Sequence, residues 1–124
     1  MNQKICSEDA PAAIGPYSQA VQCGNMLFLS GMMPIDPKTG ELVENDVTVQ
    51  AKQIMKNIDA VLSAAGYTVE DVVKTTCFLS DIGNFAAFNA VYGDYFTSKP
   101  ARSCFAVKDL PKAALVEVEV IACK

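Results

Sequence analysis

Apolar positions along this chain follow two different periods, and the switches between them divide it into elements. Near the C-terminus Val116, Val118, Val120 and Ala122 alternate with Glu117, Glu119 and Ile121. Successive strand side chains face opposite sides, so this is a half-buried strand over 115–122. Residues 102–107 predict another strand, joined to it through a Leu110-Pro111 step that cannot continue a central strand. Over 46–65 the period lengthens. Val47, Ala51, Ile54, Met55, Ile58, Val61, Leu62 and Ala65 recur at helical spacing and form one stripe. Asp46 suits the N-cap of that helix and Gly66 the position just past its end. A second helix is predicted over 85–96, striped by Phe85, Phe88, Tyr92 and Phe96, with Asn84 as its cap. Between the helices, 68–71 reads as a single capped turn and VVKTTCFLS, 72–80, as a strand. Residues 3–7 predict a short edge strand. The runs 18–23 and 26–30 flank Gly24-Asn25 as a tight hairpin. Segment 9–17 and the proline-rich stretch after Gly31 read as loops.

The resulting order is β-β-β-α-β-α-β-β, with antiparallel hairpins expected at both ends. Two helices on one face of a mixed sheet is the economical α+β arrangement for such an order. It leaves the other face of the sheet uncovered, and association of copies is a natural cover. A chain of 124 residues, 51% apolar and 19% charged, without linker, repeat or low-complexity stretch, is expected to form one domain over 1–124.

Composition then narrows the chemistry. The net charge of −4 provides no overall field for nucleic acid or an anionic membrane. There is no histidine, which removes the commonest general base, metal ligand and partner of a catalytic Ser or Cys. Five cysteines without a C-x-x-C pair are expected to be free thiols in a reducing compartment, with no metal site. The start MNQKICSEDAP has no signal-peptide pattern, and no run nears the roughly 18 apolar residues of a membrane helix. A cytoplasmic protein is the expectation.

Few residues remain as candidates. Arg102 is the sole arginine, and a planar guanidinium grips carboxylates bidentately. From spacing alone, charged strand residues more often form a solvated face. Glu117 and Glu119 share one strand face, and spacing does not separate them as proton acceptors. Tyr17 ends the first loop with a phenol able to hydrogen-bond a ligand, or to sit at a core rim. Ser30-Gly31 precedes the proline-rich loop, where Gly permits close backbone approach and Ser also suits a turn. Asn89 can donate and accept from the second helix. Cys104 has no histidine to activate it and reads as a small hydrophobe.

The stretch PARSCFAVKDLPKAALVEVEVIA, 100–122, resembles the C-terminal signature of the Rid family of reactive-intermediate (imine/enamine) deaminases, formerly called translation inhibitors or L-PSP endoribonucleases. AIGPYSQAV, LFLSGMMPIDPKTGELV and FNAVY extend the likeness over nearly the whole chain. The resemblance implies a chorismate mutase-like fold: a six-stranded mixed sheet with two helices on one face, three copies closing a central barrel, and sites in the clefts between neighbours. It implies hydrolysis of small 2-imino or 2-enamino acids to 2-keto acids and ammonia, without cofactor or metal. By the same likeness Arg102 clamps the substrate carboxylate and Glu117, rather than Glu119, activates water. Tyr17 joins these as a catalytic residue, while Ser30, Gly31, Asn89 and the backbone of Cys104 bind substrate. Met32 stands where the family often has a polar residue, which bears on side-chain preference at the pocket mouth. Two other readings carry weight: a trimer that binds keto acids without turnover or acts as a chaperone, and the ribonuclease of the older family name. Negative charge and missing histidine count against the latter.

Overall fold

In the computed structural model, which describes residues 2–124, the long apolar stripe becomes helix α1, Val47–Ala64. Asp46 caps it, accepting from the Val49 amide at 3.0 Å, and Gly66 ends it at φ +79°, a backbone angle that favours glycine. Helix α2, Phe85–Tyr95, packs beside α1. The strands are β1 (Gln3–Ile5), β2 (Ala20–Cys23), β3 (Met26–Met32), β4 (Val72–Leu79), β5 (Ala101–Ala106) and β6 (Val116–Cys123). They form one sheet in the order β1-β2-β3-β6-β4-β5. Only β4 and β5 run parallel, connected through α2; the other pairs are antiparallel. No helix among the described residues is long and apolar enough to cross a membrane.

The predicted α+β architecture is thus observed, with one correction to its topology. β5 and β6 form no hairpin, because β4 lies between them. β6 presents an unbroken apolar face of Val116, Val118, Val120 and Ala122, all buried, and takes the centre between β3 and β4. β5 has no fully buried residue and takes the edge.

The buried face packs Leu27, Leu29, Val118 and Val120 under Ile54, Ile58, Leu62 and Phe88, each at most 5% exposed. A β-bulge interrupts this alternation in β3. Leu29 pairs with Val120 but Met32 with Val118, so Ser30 and Gly31 together oppose one residue of β6. The bulge turns both Leu29 and Met32 inward. The opposite face carries Phe28, Phe78, Phe105 and Ile121, together with Lys74, Thr76, Glu117 and Glu119. Phe78 and Phe105 meet edge-to-face with centroids 5.5 Å apart, yet Phe28 and Phe105 remain 43% and 45% exposed. No helix among the described residues covers this face.

Candidate active site

The bulge in β3 and the alternation of β6 place Glu117 directly beside Gly31. A Cβ on Gly31 would lie 2.8 Å from the Glu117 carboxyl carbon, closer than real Cβ contacts allow. A side chain at this position would displace the Glu117 carboxyl group, so glycine keeps that group in its seat through space rather than backbone angle. Ser30 is held in the bulge twice, its amide donating to the Gln19 carbonyl at 2.9 Å and its hydroxyl to the Ser18 carbonyl at 2.6 Å. Gln19, 5% exposed, also fastens the loop that carries Tyr17. Its Oε1 accepts from the Ser7 amide at 2.7 Å, and its Nε2 donates to the Ser7 and Pro11 carbonyls at 3.1 and 2.8 Å. Tyr17 is 54% exposed and faces the same cavity as Ser30, Gly31 and Glu117. Burial, and secondarily the Glu119 charge, raises the Glu117 pKa above the usual glutamate value. A carboxylate in that state is a better proton acceptor than an ordinary surface glutamate.

Arg102 belongs to a second cleft. It lies on β5 in register with Thr75 of β4, on the helix side of the sheet. Its Nη1 donates to Asn89 Oδ1 at 2.5 Å. Its guanidinium sits 4.6 Å from the Tyr92 ring centroid and 5.4 Å from that of Phe85, a cation–π seat. Below it, the Tyr92 and Thr75 hydroxyls share a buried hydrogen bond of 2.7 Å. Burial raises the Tyr92 pKa, so this phenol stays neutral beneath the cation. Cys104 is the next residue of β5 on that face and pairs in register with Cys77. Burial, and then Cys104, pushes the Cys77 thiol up to about 12. Burial also raises Cys104, against the opposing pull of Arg102. Both sulfurs are therefore thiols near neutrality, poor nucleophiles.

The seven predicted residues thus divide into two groups. Tyr17, Ser30, Gly31 and Glu117 meet on the uncovered side of the sheet; Asn89, Arg102 and Cys104 meet beside α2. Arg102 is not on a strand next to Glu117, and the two point to opposite faces with β4 between their strands. Met32 is 5% exposed and reaches only a recess of about 40 Å³ behind Ser30, whereas Met33 lines the open cavity.

Three positioning residues escaped the sequence reading. Besides Gln19, these are Gln50 and Asn57, polar members of the α1 stripe at 1% and 0% exposure. Gln50 accepts from the Leu115 amide at 2.9 Å, and Asn57 donates to the Met33 and Ile35 carbonyls at 3.1 and 2.9 Å. Their signal was available. An amide on an apolar helix stripe must find buried partners, and here those partners are the loops around the cavity.

Residues 7–124 match the model of the family described as Endoribonuclease L-PSP. The 2-iminobutanoate/2-iminopropanoate deaminase of Escherichia coli K12 is 50% identical, with 98% of each chain covered. The chain belongs to the Rid (L-PSP) family. A RutC family protein of Pyrococcus horikoshii is 52% identical over 100% of this chain and 99% of its own. Among solved structures, a Rid family protein of Yersinia pestis superposes with a TM-score of 0.97 at 51% identity, covering 100% of both chains. E. coli TdcF with bound serine superposes at 0.94 with 42% identity over 98% of each chain. In this Rid chain the two clefts hold complementary charge: a fixed guanidinium on one face and a half-buried carboxylate on the other.

Proposed function

We propose that this Rid protein hydrolyses 2-imino acids and their enamine tautomers, including 2-iminopropanoate and 2-iminobutanoate, to 2-keto acids and ammonia. The proposal includes a homotrimer in which Arg102 of one copy completes the Glu117 cavity of another. The observation that carries it is the division of charge between the two half-sites. Neither alone holds both a carboxylate clamp and a proton acceptor, and the uncovered apolar face beside Glu117 provides a surface for a second copy. Relatives of about half identity bearing the name of this activity support the same reading.

The chemistry asks little of the protein, because an iminium carbon is already electrophilic. Arg102, planar and braced by Asn89, Tyr92 and Phe85, holds the substrate carboxylate. Glu117 takes a proton from water as its oxygen bonds to the imine carbon, and the C=N π electrons move to nitrogen. The tetrahedral carbinolamine then collapses: Glu117 returns its proton to the nitrogen, the C–N bond breaks as the carbonyl forms, and the hydroxyl proton passes back through the Glu117 carboxylate to the departing ammonia, which leaves as ammonium. Tyr17 and the Gly31 and Cys104 backbones orient the water and the nitrogen. Positioning and one acid–base group suffice for such a step.

The test generates the imine in situ with an amino-acid oxidase and follows keto-acid formation. Wild type is expected to accelerate it and Arg102→Ala to lose at least about a hundredfold, the scale of a lost positioning contact. Turnover retained in the folded variant would remove Arg102 from the reaction. No acceleration by wild type, with keto acid still bound, would leave a binding trimer.

A further inference from the structure

The cavity on Glu117 is larger than the smallest imino acids need. In the single chain it is a half-open cleft of about 660 Å³, on the scale of the roughly 300–1,000 Å³ that holds drug-sized ligands. Its polar end is Glu117, Ser30 and Gly31; away from that end the walls are Ile14, Met33, Ile35 and Pro111, with Lys112 at the rim. Two features mark the far end as more than leftover space. Ile14 is 83% exposed, on the loop that Gln19 fastens, so a large apolar side chain is held in water with nothing of its own chain over it. Opposite, Lys112 and Ala113 adopt φ +58° and +56°, a conformation disfavoured for side-chain-bearing residues. The turn that strains them is secured by Gln50, through the Leu115 amide, and by the Ala114 amide donating to the Pro111 carbonyl at 3.1 Å. Lys112 lines both this cleft and a smaller recess of about 100 Å³, as does Ile14, so its methylene stem is available as apolar wall.

With the reacting carbon at Glu117 and the substrate carboxylate drawn toward an arginine entering from outside, the substrate side chain is left to run along this apolar trough. Glu119 also lines it and disfavours an acidic tail. We propose that the trough receives the substrate side chain and selects 2-imino acids with extended apolar side chains, such as those from norleucine and methionine. Ile14 and the Lys112 stem are its specificity-determining walls. The inference rests on the deaminase reading for its reaction, and stands separately as a statement about binding.

The test measures kcat/KM for imines generated from alanine, 2-aminobutyrate, norvaline and norleucine, and titrates 2-oxobutanoate and 2-oxohexanoate calorimetrically. The expected result is a rise of roughly three- to tenfold per added methylene, in turnover and in affinity. Ile14→Ala and Lys112→Gly should each flatten that rise. Glycine adopts φ +58° freely, so Lys112→Gly removes the stem without straining the turn. Tighter binding of 2-oxohexanoate with no imine turned over would keep the trough and discard the deaminase reading. Turnover of every imine with neither rate nor affinity depending on length would discard the trough and keep the deaminase. A length preference that survives in both variants would overturn the assignment of the walls.

Discussion

Glu117 shows how one side chain can be unfavourable for the fold and yet suited to the proposed chemistry. Its burial and the nearby Glu119 favour the protonated carboxyl in the folded chain. A raised folded pKa means the native state binds that proton more tightly than the unfolded state. Stability therefore falls as pH rises from the ordinary glutamate value, about 4.3, through the raised one. Glu117→Gln keeps the shape and removes the charge. The variant should melt above wild type at neutral pH, lose the advantage as pH drops below about 4, and lose imine hydrolysis at every pH. Glu119→Gln should retain most activity. Parallel thermal melts and assays across pH would check both; an active Glu117→Gln would transfer the acid–base role elsewhere. For wild type the acid limb of the rate profile should lie above the ordinary glutamate range, because only the ionised carboxylate accepts a proton.

Among the elements, the bulge in β3 and the loop over it act as one unit, and Gln19 is the joint. Gln19→Leu is nearly isosteric but strands the Ser7 amide and the Ser7 and Pro11 carbonyls. A loss of about 1–3 kcal/mol in urea unfolding is expected, together with a raised KM from a loosened Tyr17 loop. Unchanged KM would reduce Gln19 to a purely structural role. Much at this scale was legible beforehand. The α1 stripe, its Asp46 cap and the β6 alternation are local patterns, and local patterns survive folding. The expected pairing of 102–107 with 115–122 failed because proximity along the chain says nothing about which strand can afford the edge. β5, with Arg102 and Ser103 and no fully buried position, gives way to β4, whose Thr75, Cys77 and Leu79 are all buried. The bulge was equally hidden, since Leu29 and Met32 share a face only after two residues are counted as one. The candidate residues themselves came from family likeness; their division between two faces follows from the strand order, which no spacing encodes.

For the whole molecule, that division makes a prediction a self-contained site would not meet. Arg102→Ala and Glu117→Ala are each expected to be inactive. Unfolded together in equal amounts and refolded, they should recover roughly a quarter of wild-type activity if sites form cyclically between three copies, because every mixed trimer regains one intact site. Refolding them separately before mixing should recover none. Light scattering at micromolar concentration should give the mass of a trimer. A monomer mass, or no recovery from the co-refolded mixture, would dissolve the shared-site proposal.

If the proposed site is shared between copies, placing Arg102 and Glu117 on opposite sides of one sheet also gives the proposed activity a history. A newly made chain, fully folded but solitary, would have both halves of the chemistry and be inert. Its turnover would begin only on meeting its copies, lag behind synthesis by the time such encounters take, and fade on dilution with no change in the fold of any one chain. The first signal that expression has become productive would then be an abrupt onset of turnover, rising more steeply than the amount of protein.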